Sequence, residues 1–143
     1  MVYNNEQYVK NVCFLCPSIQ IITIEEMMAM IRLKNERPTQ TITALRGGIG
    51  DLTREDLFST DEACGKTNVV AVLTIPPGNS IGEHAHGPDA ELYYILTGTL
   101  RITDNGVTKD LTAGDAVFTC GGASHSVVNA SSEDASLLSV IMK

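Results

Sequence analysis

The sequence predicts an all-β fold, arranged as a sandwich or a closed barrel, and three observations support this. From residue 67 onwards the chain is rich in Val, Ile, Leu and Thr, with Gly, Pro and Asn between the apolar segments. These segments are short and follow one another at near-regular spacing, as in sandwiches and barrels. Helical patterns are confined to the first part of the chain. A length of 143 residues suits one domain with a substantial core.

The first part of the chain carries two helical patterns and two short apolar segments. Residues 24–33 and 52–59 predict helices, the second with Thr53 as N-cap and Asp56 at the capping-box position. Residues 19–24 and 41–45 predict additional strands.

The first forty residues are set apart from the rest. We expect residues 1–40 to form an extension that packs on the barrel or on a partner subunit, because a strand added to a sheet edge satisfies its backbone groups. Residues 41–143 then form the β-barrel domain.

The main set of strands is delimited by turn residues. Asn105-Gly106 is a strong signal, since Asn-Gly favours the two-residue turn of a β-hairpin. The predicted strands cover residues 67–75, 91–97, 99–103, 107–111, 116–120, 124–130 and 136–142.

Composition excludes several classes of function. The formal net charge is −7, and no basic cluster offsets it, so we expect no binding to nucleic acid and none to anionic membranes. No apolar run approaches the roughly 20 residues of a membrane span. The first twenty residues lack the pattern of a secretory signal, so we expect a cytoplasmic protein.

Four cysteines are scattered through the chain: Cys13, Cys16, Cys64 and Cys120. Cys13 and Cys16 form a CxxC, but a structural zinc needs two more ligands at matched spacing, and no second CxxC is present. We interpret all four as buried or half-buried thiols.

All three histidines belong to one pattern. His84 and His86 are two residues apart, a spacing that places both on the same face of a strand. Glu91 follows after a break at Gly-Pro-Asp, and His125 begins another predicted strand. If the two strands are neighbours, three imidazoles and one carboxylate converge, which is a ligand set for a divalent transition metal.

These residues resemble the cupin family. Gly78-x5-His84-x-His86-x4-Glu91-x6-Gly98 is similar to the first cupin motif at each fixed position. The second cupin motif is matched with one departure, because Cys120 stands where the family usually has a proline. The matching pattern is Gly114-x5-Cys120-x-Gly122-x2-His125-x3-Asn129.

The resemblance implies a double-stranded β-helix barrel and metal ligation by His84, His86, Glu91 and His125. The metal would be one divalent ion per chain, Mn, Fe, Ni or Zn. Glycines suit the tight turns at the barrel rims, at Gly78, Gly98, Gly114 and Gly122, with Asn129 as the fifth turn position.

Several residues are candidates for the surroundings of the metal. Tyr93 and Ile95 share the face of Glu91, so both are expected to face the barrel interior. Tyr93 is the candidate catalytic residue, because its hydroxyl would give a proton or a hydrogen bond to the substrate. The alternative is a buried ring whose hydroxyl is bonded within the protein. Ile95, Phe118, Cys120 and Met142 are candidate pocket-lining residues, with plain core as the alternative for Phe118 and Met142.

The chain looks most like small stand-alone cupins described as oxalate-decarboxylase-like. Oxalate decarboxylases have an arginine three positions before the first ligand histidine, where this chain has Ile81. Arg46 and Arg101 remain as candidate anion-binding residues, and Glu83 is expected to face away from the metal.

Two hypotheses of function follow. The first is a metal-dependent enzyme of the oxygenase, decarboxylase, isomerase or lyase class that acts on a small oxygenated molecule. The second is a non-catalytic cupin that binds a metal or small molecule as a sensor or carrier. A structural metal is disfavoured because such sites are coordinatively closed. Since small cupins commonly pair through their sheets, we also expect a homodimer.

Overall fold

A computed structural model of the chain describes residues 30–143. Ile31–Lys143 form one unit, which contains ten strands and two 3₁₀ turns. The strands, β1 to β10 in chain order, are Thr39–Thr43, Asp51–Asp56, Thr67–Ile75, Ser80–Ala85, Ala90–Thr97, Thr99–Asp104, Val107–Thr112, Ala116–Thr119, Ser124–Val128 and Ala135–Met142. The all-β prediction is confirmed. No helix within residues 30–143 is both long enough and apolar enough to cross a bilayer.

The strands form two antiparallel sheets that pack face to face. The larger sheet has the order β1-β2-β3-β10-β5-β8, and the smaller has the order β4-β9-β6-β7. Leu73 and Ile95 of the larger sheet share one buried cluster with Ile81, Ile102 and Val127 of the smaller sheet. Burying each of these large side chains stabilises the fold by roughly 1.5–3 kcal/mol. This two-layer arrangement is the jelly roll expected of a double-stranded β-helix.

Alternation along β5 decides which of its side chains face the interior. Glu91, Tyr93 and Ile95 are buried, whereas Tyr94 and Leu96 are exposed on the outer face of the sheet. The period of two is the ordinary geometry of a strand with one face against a core. The predicted interior positions of Tyr93 and Ile95 are therefore confirmed.

Turns lie where the sequence predicts them. Asn105 and Gly106 both have positive φ, 45° and 80°, as a type I′ hairpin between β6 and β7 requires. Asn129 is fully buried, and its amide donates to the carbonyls of Ile75 (2.7 Å) and Glu133 (2.8 Å). The four turn glycines of the two motifs also have positive φ: Gly78, Gly98, Gly114 and Gly122.

The helix predicted over residues 52–59 is wrong, because this segment enters the larger sheet as β2. The strand is paired on both edges, by β1 and by β3, so its backbone groups are bonded to neighbouring strands. Leu52, which lies opposite Ile42, is only 2% exposed and belongs to the core. Sheet pairing and burial outweigh the local capping signal at Thr53.

Some predictions fall outside the described residues. These are the strand over residues 19–24, most of the helix over 24–33, and the cysteines at 13 and 16. Residues 30–33 are described and are not helical, and a 3₁₀ turn follows at Lys34–Glu36. The packing of residues 1–40 on the barrel or on a partner stays a prediction.

The strand predicted at residues 41–45 is present with a shift of two residues, as β1. A 3₁₀ turn at Leu45–Gly47 follows it, so the chain leaves the sheet after Thr43. The predicted burial of Cys64 and Cys120 is wrong, because both side chains are exposed.

Candidate metal centre

The three histidines and Glu91 converge between the two sheets. β4 and β9 are neighbours, and His84 lies directly opposite His125 in their register. His86 follows the end of β4, where its N–H donates to the Ala123 carbonyl at 3.0 Å, so it continues along β9. Glu91 reaches the same point from β5 of the larger sheet. One ligand atom from each of the four residues lies within 4.8 Å of the others.

The four groups present their ligand atoms to a common point. His125 Nε2 lies 3.0 Å from His84 Nε2, 3.2 Å from His86 Nε2 and 3.0 Å from Glu91 Oε2. Glu91 Oε2 also lies 3.0 Å from His86 Nε2 and 3.5 Å from His84 Nε2. The side chains of His86, Glu91 and His125 are no more than 3% exposed, and that of His84 is 12% exposed.

Hydrogen bonds on the far side of two imidazoles set their tautomers. His84 Nδ1 lies 2.9 Å from the Gly82 carbonyl, so this nitrogen carries the proton and donates it. His125 Nδ1 lies 2.8 Å from Thr119 Oγ1, whose own proton is donated to Asp104 Oδ1 at 2.6 Å. Thr119 therefore accepts from His125. With its proton on Nδ1, each ring leaves its Nε2 lone pair facing the common point.

The third imidazole is held less directly. His86 Nδ1 is buried and forms no hydrogen bond with the described residues. Asp89 Oδ1 is 3.3 Å away, but the arrangement does not meet the angular requirement of a hydrogen bond. Asp89 contributes a negative charge beside this ring.

The carboxylate of Glu91 is oriented and kept ionised. Ser139 Oγ donates to Glu91 Oε1 at 2.6 Å, which leaves Oε2 for the common point. Burial raises the pKa of Glu91, but its polar contacts with His125, His84 and Ser139 outweigh this effect, so the pKa lies well below its ordinary value. Glu91 is therefore an anion at neutral pH.

The donor set fits a divalent transition metal. The Nε2 lone pairs of His84 and His125 and the carboxylate oxygen of Glu91 lie about 3 Å apart. They repel one another unless a cation lies between them. Ligands about 2.1 Å from a metal and at right angles lie about 3.0 Å apart, close to the separations among these atoms. Three imidazole nitrogens and one carboxylate oxygen are ligand types of Zn, Fe, Ni and Mn sites.

A cavity of about 100 Å³ adjoins the cluster. His84 and Glu91 form part of its wall, as do Tyr93, Arg46 and Arg54. Most of the remaining lining is apolar: Ile42, Leu45, Val69, Leu73, Ile81 and Ile141, with Ser139 beside them. A space of this size suits a ligand of a few heavy atoms, since sites for drug-sized molecules measure roughly 300–1,000 Å³.

Tyr93 contacts the cluster and also lines the cavity. Its ring stacks on that of His125, with the centroids 4.7 Å apart and the planes at 5°. Burial and the negative charge of Glu91 raise the pKa of Tyr93 well above its ordinary value, while the charge of Arg46 acts in the opposite direction. The hydroxyl therefore stays protonated at neutral pH and is a hydrogen-bond donor.

The structure corrects the predicted pocket wall. Phe118 is 52% exposed and Cys120 is also exposed, because Val117 takes the inward position on β8. Ile95 belongs to the core cluster and does not line the cavity. Ile141 lines the cavity in place of Met142, next to a shift in the β10–β3 register.

The two candidate anion-binding arginines and Glu83 lie in different surroundings. Arg46 lines the cavity, whereas Arg101 is exposed and pairs with Asp110 through contacts of 2.7 and 2.9 Å. Glu83 faces away from the cluster, as expected, and accepts a hydrogen bond from Ser124 Oγ at 2.7 Å.

Sequence reasoning missed the two hydroxyls that orient side chains of the cluster, those of Thr119 and Ser139. Thr119 and Ser139 lie in ordinary strand segments, and their partners are far along the chain. The alternation of β10 was the available signal, because it places Ser139 on the same face as the buried Leu137.

Comparisons with known proteins agree with this geometry. The family model of the cupin domain matches residues 71–141. An oxalate-binding protein from Thermotoga maritima is 35% identical over 119 residues, which are 83% of this chain and 98% of that protein. A dimethylsulfoniopropionate lyase from Ruegeria pomeroyi is 30% identical over 79 residues, 55% of this chain and 51% of the lyase.

A solved structure shows the same fold. The crystal structure of a predicted oxalate decarboxylase from Thermotoga maritima superposes with a TM-score of 0.76 and 36% sequence identity. The match covers 79% of this chain and 98% of that chain.

Proposed function

Because the chain belongs to the cupin family, we propose that it is a metal-dependent cupin whose metal binds a small carboxylate. His84, His86, Glu91 and His125 hold one divalent transition metal, Mn, Fe, Ni or Zn. The observation that carries the proposal is the position of the four ligands, which converge beside a small cavity containing a guanidinium. The oxalate-binding relative from Thermotoga maritima supports the choice of ligand class.

A metal held by these four residues would supply a Lewis acid for the oxygen atoms of a small ligand. The chain's own residues decide what enters. The largely apolar wall offers few hydrogen-bond partners to water, and its low local dielectric strengthens each electrostatic interaction in the cavity. The Tyr93 hydroxyl donates a hydrogen bond from the side of His125, and the volume of about 100 Å³ restricts the ligand to a few heavy atoms.

Catalysis at the same centre is the second candidate, and Tyr93 favours it. Tyr93 lines the cavity and its ring stacks on the imidazole of His125, so its protonated hydroxyl is our candidate for giving a proton to a bound molecule. The reaction classes open to such a centre are those of an oxygenase, a decarboxylase, an isomerase or a lyase.

The ligand assignment is tested by a pair of matched variants. Purified protein is loaded with Mn(II), Fe(II), Ni(II) and Zn(II) in separate samples, and bound metal is measured by elemental analysis. We expect close to one equivalent in the wild type and in Glu83→Gln, whose carboxylate faces away from the cluster. Glu91→Gln removes the anionic ligand and is expected to lose most of the metal. Full occupancy in Glu91→Gln would contradict the assignment.

Ligand binding and turnover are then separated. Oxalate is titrated calorimetrically into the metal-loaded and metal-free proteins, and we expect heat of binding with the metal-loaded form alone. Aerobic incubation of the loaded protein with oxalate, followed by assay of formate and carbon dioxide, tests catalysis. Binding without product supports the binding function, and product formation that Tyr93→Phe abolishes supports the second candidate.

A further inference from the structure

The loop of residues 44–50 joins β1 to β2 and carries Arg46 into the wall of the metal cavity. Ala44 N–H donates to the Gly50 carbonyl at 2.8 Å and closes the base of the loop. Ala44 and Arg46 have φ values of 50° and 55°, in the left-handed region that residues with a side chain rarely adopt. Such a backbone persists only where the surrounding contacts hold it.

Those contacts come from β4, the strand of His84. The Ile49 N–H donates to Ser80 Oγ at 2.8 Å, and the Ser80 N–H donates back to the Ile49 carbonyl at 2.9 Å. The two backbones lie so close that a Cβ on Gly48 would be 2.2 Å from the Ser80 carbonyl oxygen. A Cβ on Gly82 would likewise be 2.2 Å from the Arg46 carbonyl oxygen.

One residue of β4 therefore positions both Arg46 and a metal ligand. Gly82 contacts the Arg46 backbone, and its carbonyl accepts the hydrogen bond from His84 Nδ1 at 2.9 Å. The position of the Arg46 backbone relative to His84 is thus set by a short backbone connection.

The charge of Arg46 has no partner among residues 30–143. It forms no ion pair and no side-chain hydrogen bond with them, although it shares the cavity wall with Tyr93 and His84. Arg54, the other arginine of the cavity, bonds to Asp56 Oδ1 through Nε (2.8 Å) and Nη2 (2.6 Å). Of the two arginines in the cavity wall, Arg46 is thus the one without a carboxylate partner among residues 30–143, and its guanidinium can receive an anion from solvent.

We propose that Arg46 is the specificity-determining residue of the site and selects small dicarboxylates. One carboxylate of the ligand binds the metal, and the second accepts hydrogen bonds from the Arg46 guanidinium, which is suited to a two-oxygen acceptor. The cavity of about 100 Å³ limits the chain between the carboxylates, so oxalate and malonate fit better than succinate. This inference rests on the proposed metal centre.

The test compares Arg46→Gln and Arg46→Lys with Arg101→Gln, which removes an equal charge from the exposed pair with Asp110. Metal affinity is measured first, by competition with a chelator. Oxalate, malonate, succinate and acetate are then titrated calorimetrically into each metal-loaded protein. Acetate is the internal control, because it has no second carboxylate for Arg46.

We expect Arg46→Gln to keep its metal affinity and its affinity for acetate, while the Kd for oxalate rises about tenfold or more through loss of a charge-assisted hydrogen bond. Arg46→Lys is expected to lie in between, and Arg101→Gln to match the wild type. Unchanged oxalate affinity in Arg46→Gln overturns the role of Arg46 and leaves the metal centre standing. Joint loss of metal and oxalate overturns it too, by showing a structural role. A metal-loaded wild type that binds none of these carboxylates overturns both proposals.

Discussion

Replacing Thr119 by Val is expected to weaken metal binding without removing any ligand. The change is nearly isosteric and deletes the hydroxyl that accepts the His125 Nδ1 proton at 2.8 Å. In the metal-free variant the proton is expected to move to Nε2, from which it donates to Glu91 Oε2 at 3.0 Å. The His125 ring thus exchanges one hydrogen bond for another, and the metal-free variant loses only the hydrogen bond from Thr119 to Asp104.

Metal binding reverses that exchange, so the energetic cost of the substitution falls on the metal-bound state. The Nε2 lone pair must be freed, which returns the proton to an Nδ1 that now faces a valine methyl group. The His125 side chain is fully buried, so this N–H is left without a partner at a cost of about 1–3 kcal/mol. Metal affinity is therefore expected to fall roughly 10- to 100-fold, the usual effect of losing such a partner.

Two measurements check the reasoning, with Thr103→Val as the control. Thr103 bonds to Thr108 at 2.8 Å on an exposed part of the hairpin, so its loss removes a hydroxyl pair away from the cluster. Zn(II) affinity is measured by chelator competition, and imidazole ¹⁵N shifts of the metal-free proteins report the tautomer of His125. An unchanged affinity in Thr119→Val, or an equal loss in Thr103→Val, would refute the argument.

Three further predictions follow from the structure. His86→Ala is expected to abolish metal binding while the β-sheet circular dichroism stays unchanged; wild-type occupancy in an elemental analysis would refute the assignment. Gly82→Ala places a methyl group against the Arg46 carbonyl, so we expect a lower melting temperature and weaker oxalate binding; a melting curve and oxalate titration like those of the wild type would show that the loop tolerates the shift. The outer face of the larger sheet exposes Phe118 and Tyr94, and we propose that it forms a homodimer interface, so Phe118→Lys should leave a 15.4 kDa species in sedimentation at micromolar concentration. A wild type that is itself monomeric there would contradict the dimer.

The convergence of the three histidines and Glu91 was predictable because their spacing has a simple geometric meaning. His84 and His86 share a strand face at a spacing of two, and Glu91 and His125 follow at the intervals of the motif. The Asn105-Gly106 hairpin was predictable for a similar reason, since two adjacent positive φ values favour those residues. In both cases the determining interactions are local in sequence.

Features that depend on distant partners were not predictable. The segment at Leu52 has a helical capping signal, and only pairing with β1 and β3 makes it a strand. The choice between Arg46 and Arg101 depends on a left-handed loop and its contact with Gly82, which no short pattern encodes. The outward position of Phe118 depends on which alternate residues of β8 face the core. A shift of the strand by one residue would exchange the inward and outward positions.

Because the four candidate metal ligands lie between the two sheets, we expect the supply of metal to affect how long the folded protein persists in the cell. Glu91 belongs to the larger sheet and the histidines to the smaller one, so a metal held by all four fastens the two layers together at their centre. A ligand that binds only the folded chain at 100 times its Kd stabilises it by about 2.7 kcal/mol. A cell starved of the metal would thus hold a chain that opens more often, and proteases, which cut opened chains, would lower its abundance.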